Sequence, residues 1–332
     1  MSVPRTLTAA GVGLVSLLAI AGCSAAPAAE PTTVPSSASS TVTVEDNNGE
    51  HTIATPPSSV VATDNRTFQT LNDWGIELSA AAVSLMSDGN PYTKDDKIID
   101  LGTHNEPDLE AVVAVEPDLI INGQRFSQYH DDFAQLVPDA TVLELDPREG
   151  EPFDEELKRQ VTVLGEVFGK QKEADALVKD FDKAVERAKK AYDSSQSVMG
   201  VITSGGEIGY VAPTVGRTLG PVFDFLDLTP ALEVADSSTD HQGDDISVEA
   251  IAESNPSWIL VMDRDAVFAA DQPDYKQAAQ ILESSEALKN VTAVKEGHII
   301  YMPADTYLNE GIQTYTTFLN DFADALENAA KK

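Results

Sequence analysis

Cysteine and histidine are scarce in this sequence. The 332 residues include one cysteine, Cys23, so no disulfide can form within the chain. None of the five histidines is paired in a His-x-x-x-His or His-Glu-x-x-His motif. A Gly-x-Ser-x-Gly nucleophile elbow and a Walker phosphate-binding loop are also missing. These absences argue against a hydrolase, which stays the alternative from another class, and against the ATPase of a transporter.

Basic residues are also few. The chain has 22 lysines and arginines against 55 aspartates and glutamates, which gives a formal net charge of −33. Such a chain is repelled by the phosphates of nucleic acid and by anionic membrane surfaces. An arginine that follows a strand in so acidic a chain is therefore a candidate for binding an anion.

The N-terminal segment indicates export and lipidation. Arg5 precedes an apolar run over 9–21, which is shorter than the roughly 20 residues that span a membrane and is typical of a signal peptide. The run ends in Leu18-Ala19-Ile20-Ala21-Gly22-Cys23, which resembles the lipobox of bacterial lipoproteins, where the cysteine is acylated. We therefore expect a signal peptide over 1–22, a lipid anchor on Cys23 and an extracytoplasmic protein held at the cell membrane.

After the cysteine, the sequence predicts a tether and then an α/β body. Residues 23–40 are rich in Ala, Pro, Ser and Thr, which favours a flexible tether. Beyond it, short β-branched runs alternate with helical stretches, as in largely parallel sheets. A hairpin is expected around Asn47-Asn48-Gly49, and helices are expected over 153–168 and 171–192 with Gly169 as the cap between them. We predict two Rossmann-like lobes, 41–168 and 194–332, joined by one long helix over 169–193.

The two predicted lobes share an internal repeat with an offset of 139 residues. Segments 109–120 and 248–259 each run from a glutamate through a short helix and a proline into a buried strand. In the same register past the strands, Arg125 falls opposite Arg264. Ligands in open α/β sheets bind at the carboxyl ends of the strands. Two facing lobes would therefore place both arginines in one cleft.

Together, these features and several short motifs resemble a known family over nearly the whole predicted body, about residues 40–328. The resemblance is to class III periplasmic binding proteins of the ferric-siderophore and cobalamin type, and within them to the lipoproteins that bind catecholate siderophores. It rests on Val60-Val61-Ala62 with Leu71 to Gly75, Glu106-Pro107-Asp108-Leu109-Glu110, Pro117-Asp118-Leu119-Ile120-Ile121, and Ile246-Ser247-Val248-Glu249 with Val261-Met262-Asp263-Arg264. The resemblance implies a binding protein without enzymatic activity, which delivers its ligand to the permease and ATPase of an ABC importer. It implies no intrinsic cofactor, since the iron arrives as Fe³⁺ within the ligand.

The resemblance also implies the residues of the site. Arg125, Arg217 and Arg264 would clamp a ferric complex that carries a net negative charge of about three, because planar guanidinium suits its oxygens and rings. The alternative is that these arginines are surface residues that pair with some of the 55 acids. His241 and Tyr307 match residues that complete iron coordination when a siderophore offers only four donor atoms. The sequence departs from the family at His241, which is followed by Gln242-Gly243 rather than directly by glycine.

Glu110 and Glu249, one in each repeat, match glutamates that meet arginines of the permease. An ordinary solvated helix face is the alternative for both. Four aromatic residues could line the cleft or pack in the core: Tyr92, Phe126, Tyr129 and Tyr210. Trp74 and Trp258 lie in apolar segments and are expected in the core. Within the binding proteins, the rival ligands are a bare metal ion, which three arginines would repel, and haem or cobalamin.

Overall fold

The structure of this protein is a computed structural model, which describes residues 40–102 and 105–331. The predicted signal peptide (1–22), the lipidation site Cys23 and the predicted tether up to residue 39 lie outside the described residues. No helix within the described ranges is long and apolar enough to cross a membrane.

The chain begins with the predicted hairpin and a first parallel sheet. The hairpin is confirmed: β1 (Ser40–Glu45) pairs antiparallel with β2 (Glu50–Thr55). The first sheet has strands β3 (Val60–Ala62), β4 (Ala80–Ala81), β5 (Ile99–Asp100), β6 (Leu119–Asn122) and β7 (Thr141–Glu144). Their order is β5-β4-β3-β6-β7, and every pairing is parallel. The strand order reverses between β3 and β6, which makes the carboxyl ends of these two strands the expected ligand position.

The second sheet is mixed. Its strands are β8 (Ser197–Ser204), β9 (Glu207–Val211), β10 (Thr229–Pro230), β11 (Asp244–Asp245), β12 (Trp258–Asp263) and β13 (Ile299–Tyr301). The order is β11-β9-β8-β12-β13, with β10 paired to β8. Strands β8, β10, β12 and β13 pair in parallel, whereas β9 runs antiparallel to β8 and β11.

Ten α-helices connect and cover the strands in the described ranges. They are α1 (Phe68–Asp73), α2 (Leu109–Ala114), α3 (His130–Leu136), α4 (Phe153–Phe168), α5 (Gln171–Ala191), α6 (Gly220–Leu226), α7 (Val248–Ser254), α8 (Ala278–Ser284), α9 (Thr292–Glu296) and α10 (Ile312–Ala329). Short 3-10 helices follow several strands, at Val83–Leu85, Pro91–Lys94, Gln124–Tyr129, Asp265–Val267 and Thr306–Leu308.

Both sheets are apolar on both faces because helices cover each side. In β12, Trp258, Leu260 and Met262 enter one core cluster, while Ile259 and Val261 enter another on the opposite face. The same alternation occurs in β6 of the first sheet. This arrangement explains the continuous apolar runs in the sequence, since strands of a doubly covered sheet carry no polar face. Trp74 and Trp258 are buried, as predicted.

Two helices span from one core to the other. The predicted boundary between them is confirmed, because α4 ends at Phe168 with Gly169 as its left-handed C-cap (φ 65°) and α5 begins at Gln171. The 21 residues of α5 are about 32 Å long. Helix α4 also reaches both cores, and a Cβ on Gly165 would lie 2.7 Å from the Cβ of Ala174. The lobes are thus joined by the long α5 with α4 packed closely on it, and the exact lobe boundaries stay a prediction.

The internal repeat extends to the backbone. Helices α2 and α7 begin at N-caps whose side chains, Asp108 and Ser247, accept a hydrogen bond from the amide three residues on. Glu116 and Asn255 both have positive φ, 45° and 44°. All four residues fit the offset of 139. The two halves therefore build the same helix–strand unit, and each delivers an arginine to the end of a central strand.

Candidate functional site

Arg125 follows β6 in the turn that opens the 3-10 helix Gln124–Tyr129, and two hydrogen bonds hold this segment in place. The backbone amide of Gln124 donates to Asp146 Oδ2 at 2.7 Å, and Asn122 Nδ2 donates to the carbonyl of Phe126 at 3.0 Å. Gln124 has a φ of 54°, which turns the chain sharply at the end of the strand. The Arg125 side chain is thereby held at the point where the strand order of the first sheet reverses.

Arg264 takes the matching place in the second sheet. Its amide donates to the carbonyl of Thr203 at 3.1 Å, and its Nη1 donates to Ser204 Oγ at 3.2 Å. Nη1 also lies 3.7 Å from Asp265. Arg217 comes from the loop before α6, where its Nε donates to Glu310 Oε1 at 3.1 Å.

The three arginines converge on Tyr307. Arg125 Nη2 donates to the Tyr307 hydroxyl at 2.9 Å, across 182 residues of sequence. The guanidinium carbons of Arg217 and Arg264 lie 4.5 and 5.0 Å from the centre of the Tyr307 ring. Side chains from both sheets thus meet in one cluster, as the repeat predicted for Arg125 and Arg264. We call Arg125, Arg217, Arg264 and Tyr307 the cation cluster.

The cation cluster changes the acidity of Tyr307. The residue is 2% exposed, and burial alone would raise the pKa of its hydroxyl. Arg217, Arg264 and Arg125 outweigh burial and lower this pKa below its ordinary value. The arrangement therefore favours a phenolate oxygen more than an ordinary tyrosine environment does.

Two donors of the cation cluster are buried without an acceptor. Arg217 Nη2 and Arg264 Nε have no hydrogen-bond partner within the described part of the chain. The side chains of Arg217 and Arg264 are only 17% and 21% exposed. A buried donor without a partner is unfavourable, so these nitrogens are suited to oxygen atoms of a ligand.

Phe268 is an aromatic neighbour of the cluster that the sequence interpretation missed. It is 52% exposed, contacts Tyr307 edge-on at 5.3 Å between ring centres, and lies 5.2 Å from the Arg264 guanidinium carbon. The repeat contained the signal, because the offset of 139 places Phe268 opposite Tyr129.

The four aromatics proposed for the cleft pack elsewhere. Tyr92, Phe126 and Tyr210 are buried core residues, and the hydroxyls of Tyr92 and Tyr210 donate to the carbonyls of Ile76 and Leu232. Tyr129 is half-buried and donates to the carbonyl of Asn105. Core packing thus accounts fully for three of the four and in part for Tyr129, which packs against both clusters of the first sheet.

A second missed group connects the lobes beside the cation cluster. Glu310 Oε2 accepts from Gln124 Nε2 at 3.1 Å and lies 3.7 Å from Arg66 Nη2. Nearby, Thr70 and Gln313 are joined by a hydrogen bond across 243 residues of sequence. The short polar segment before α10 therefore carries most of these contacts to the first sheet's lobe.

His241 takes no part in the contacts that join the arginines to Tyr307. It is exposed in the loop before β11, and no hydrogen bond or ion pair of the described residues joins it to Tyr307 or to the arginines. Within the described ranges there is no group of three or more His, Cys, Asp and Glu side chains that could hold a metal ion. Iron ligation by His241 and Tyr307 stays a prediction.

Glu110 and Glu249 occupy equivalent exposed positions. Each is the second residue of its helix, α2 or α7, in the first turn after the N-cap. An acidic residue there is also favourable to the helix itself, because the first turn presents free backbone N–H groups. Their matched placement is compatible with both interpretations, and docking stays a prediction.

Two α/β lobes joined by a long helix, with arginines of both lobes meeting at the ends of their central strands, define a class III substrate-binding protein. The chain belongs to the periplasmic binding protein family, whose model matches residues 60–306. This finding confirms the predicted fold and family.

The relatives and solved structures most similar to the chain include binding proteins for iron complexes. The petrobactin-binding protein YclQ of Bacillus subtilis is 27% identical over 287 residues, which are 85% of this chain and 86% of YclQ. The ferric-anguibactin-binding protein FatB of Vibrio anguillarum is 26% identical over 300 residues, 88% of each chain. The crystal structure of the periplasmic catecholate-siderophore binding protein VctP of Vibrio cholerae superposes with a TM-score of 0.72 at 26% identity, over 85% of this chain and 99% of VctP.

Proposed function

We propose that this protein binds an anionic ferric siderophore of the catecholate type between its lobes and delivers it to the permease and ATPase of an ABC importer. The observation that carries the proposal is the convergence of Arg125, Arg217 and Arg264 on one point of a chain with a net charge of −33. Carboxylates lie beside two of these partly buried cations, Glu310 beside Arg217 and Asp265 beside Arg264. An anionic ligand would offset the repulsion that remains among the three.

The partners of the arginines favour an oxygen-rich ligand. Buried nitrogens of Arg217 and Arg264 lack an acceptor in the described part of the molecule, and guanidinium donates most strongly to charged oxygens. A bare metal ion would be repelled by the same groups. The rival metal-binding function therefore lacks support from this cluster.

Tyr307 and Phe268 favour an aromatic ligand. In the structure a phenol ring already lies among the three arginines, with its hydroxyl accepting from Arg125. A catecholate presents a similar ring edge and oxygen. Phe268, half-exposed beside Arg264, offers a further apolar ring surface against which a catechol ring can pack.

Direct iron ligation is part of the proposal for tetradentate siderophores only. The lowered pKa of the Tyr307 hydroxyl favours the phenolate that Fe³⁺ would bind. His241 would complete the coordination from its exposed loop.

Delivery rests on the surface and on the N-terminal segment. Glu110 and Glu249, one on each lobe, would contact arginines of the permease, which could thereby sense the spacing of the lobes. The lipid on Cys23 would keep the protein at the outer face of the cell membrane.

A ligand panel tests the proposal. The mature protein is titrated with ferric bacillibactin, a triscatecholate siderophore, with a ferric bis-catecholate, and with ferric citrate, haem and Zn²⁺, and its tryptophan fluorescence is followed. We expect saturable quenching by the ferric catecholates, weaker binding of ferric citrate and none of Zn²⁺. Tight binding of haem or Zn²⁺ with no response to either catecholate would overturn the proposal.

A further inference from the structure

A buried carboxylate, that of Glu310, lies directly beside the cation cluster. Its side chain is 3% exposed, three residues after Tyr307. Burial alone would raise its pKa, but Arg217 and Arg66 outweigh burial and lower it, so the group is ionised at neutral pH. A negative charge at this place repels an anionic ligand. The charge of Glu310 offsets those of Arg217 and Arg66, but it cannot itself attract the ligand.

The two oxygens of Glu310 face different lobes. Oε1 accepts from two donors of the second lobe, Arg217 Nε at 3.1 Å and Thr218 Oγ1 at 2.6 Å. Oε2 accepts from Gln124 of the first lobe at 3.1 Å and lies 3.7 Å from Arg66 of the same lobe. One side chain thus joins the two lobes through both of its oxygens.

The contact with Arg217 restricts the orientation of its guanidinium group. Because Glu310 holds Nε, the planar group cannot rotate freely, and Nη2 is left buried without an acceptor. Gln124, on the other side of Glu310, is the residue before Arg125 and is itself anchored through its amide to Asp146. Glu310 thereby contacts one clamp arginine directly and the loop of another.

We propose that Glu310 is a positioning residue, which orients Arg217 toward the ligand and ties the loop of Arg125 to the second lobe. This inference rests on the proposed function, since it assumes that the ligand occupies the cation cluster. Pre-organised donors bind more tightly because less ordering is left to occur on binding. The fixed orientation of Arg217 should therefore increase the affinity for the ligand, although the negative charge of Glu310 repels it.

The sign of one mutational effect distinguishes positioning from charge. Glu310→Gln removes a negative charge, so electrostatics alone predicts tighter binding of ferric bacillibactin. Positioning predicts the opposite, a rise in Kd of about tenfold or more, because the amide weakens the charge-assisted hydrogen bond from Arg217 and has an NH2 group where one carboxylate oxygen accepted. Glu156→Gln is the matched control: Glu156 is also a buried carboxylate held by two arginines, Arg148 and Arg159, and lies outside the cluster. It should change Kd less than twofold or so.

A double-mutant cycle separates positioning from general stability. With Arg217→Met already present, Glu310→Gln should have a much smaller effect on Kd than in the wild type. Equal losses in both backgrounds, or wild-type or tighter binding by Glu310→Gln, would show that Glu310 does not act through Arg217. If Glu310→Gln does not fold, Gln124→Met removes the contact to Oε2 without a charge change, and it should weaken binding several-fold.

Amide hydrogen exchange of the ligand-free protein tests, without any siderophore, whether Glu310 connects the two lobes. Glu310→Gln should accelerate exchange both in the loop around Arg125 and in the loop around Arg217, whereas Glu156→Gln should change neither. Unchanged exchange in both loops contradicts the inference. Failure of the wild type to bind any ferric complex would instead contradict the proposed function. The exchange result would still show whether Glu310 connects the two lobes.

Discussion

Replacement of the clamp arginines by glutamine should weaken ligand binding in a definite order. A hydrogen bond to a charged group contributes about 1.5–3 kcal/mol, which is about tenfold or more in Kd for each arginine. Arg217 and Arg264 each have a buried nitrogen without an acceptor in the described residues. Replacement of either arginine should therefore remove this full contribution to the free energy of binding. Arg125 already donates to Tyr307, and a ligand must replace that bond, so its net loss should be smaller.

The assay is equilibrium quenching of tryptophan fluorescence by ferric bacillibactin, with each variant measured at low and high salt. The losses should shrink at high salt, because part of the attraction is screened. Arg187→Gln is the control, since Arg187 pairs with Asp324 and Glu327 on the outer helices and its loss changes the net charge equally.

Two results would refute the assignment of the clamp. The first is a triple glutamine variant that keeps wild-type affinity for every siderophore tested. The second is an equal loss in the Arg187→Gln control, which would attribute the effect to net charge rather than to the cation cluster. Circular dichroism of each variant must show the native fold, because Arg217→Gln leaves Glu310 with one partner fewer.

Three further predictions concern iron, docking and pH. Tyr307→Phe should raise the Kd of a ferric bis-catecholate about tenfold or more and that of a ferric triscatecholate less, since only the bis-catecholate leaves coordination sites of the iron open. Equal changes in the two Kd values, measured by titration, would exclude ligation of iron by Tyr307. Glu110→Lys with Glu249→Lys should abolish uptake of ferric siderophore by cells that carry the double variant, with siderophore affinity unchanged. Glu253→Lys, on the same exposed side of α7, should leave uptake normal, and normal uptake by the double variant would exclude docking there. Burial, with neighbouring carboxylates, raises the pKa of Asp64 to about 7, so the folded state binds an extra proton between about pH 4 and 7. The free energy of unfolding, measured in urea, should therefore fall as pH rises through this window and level off above it. Asp64→Asn should make this free energy depend less steeply on pH. An unchanged pH dependence in the variant would contradict the raised pKa of Asp64.

Local signals predicted much of the fold. The apolar periodicity of α4 and α5 and the glycine between them placed both helices correctly. The strands that were missed are short or antiparallel. β4 and β5 have two residues each, too few for a pattern, whereas the hairpin of β8 and β9 turns at Gly205-Gly206, a signal that could have been used.

The cation cluster was only partly predictable. Arg125 and Arg264 followed from the repeat, because an identical register on two similar sheets puts equivalent residues at equivalent strand ends. Tyr307 and Arg217 followed only from a family resemblance. The offset of 139 relates Phe268 to Tyr129, but this match alone did not predict a place in the cluster. Glu310 lies in a polar segment whose sequence does not distinguish it from the many other acids of the chain.

The sequence by itself determined the two lobes, the helix between them and the two arginines that the repeat delivers to facing edges, since each depends on periodicity and spacing along the chain. Only the tertiary structure decided that a tyrosine lies among the arginines and that a buried carboxylate holds one of them. Those roles arise from contacts between residues far apart in sequence, 182 residues for Arg125 with Tyr307 and 186 for Gln124 with Glu310. Contacts of this kind exist only once the packed lobes bring the segments together.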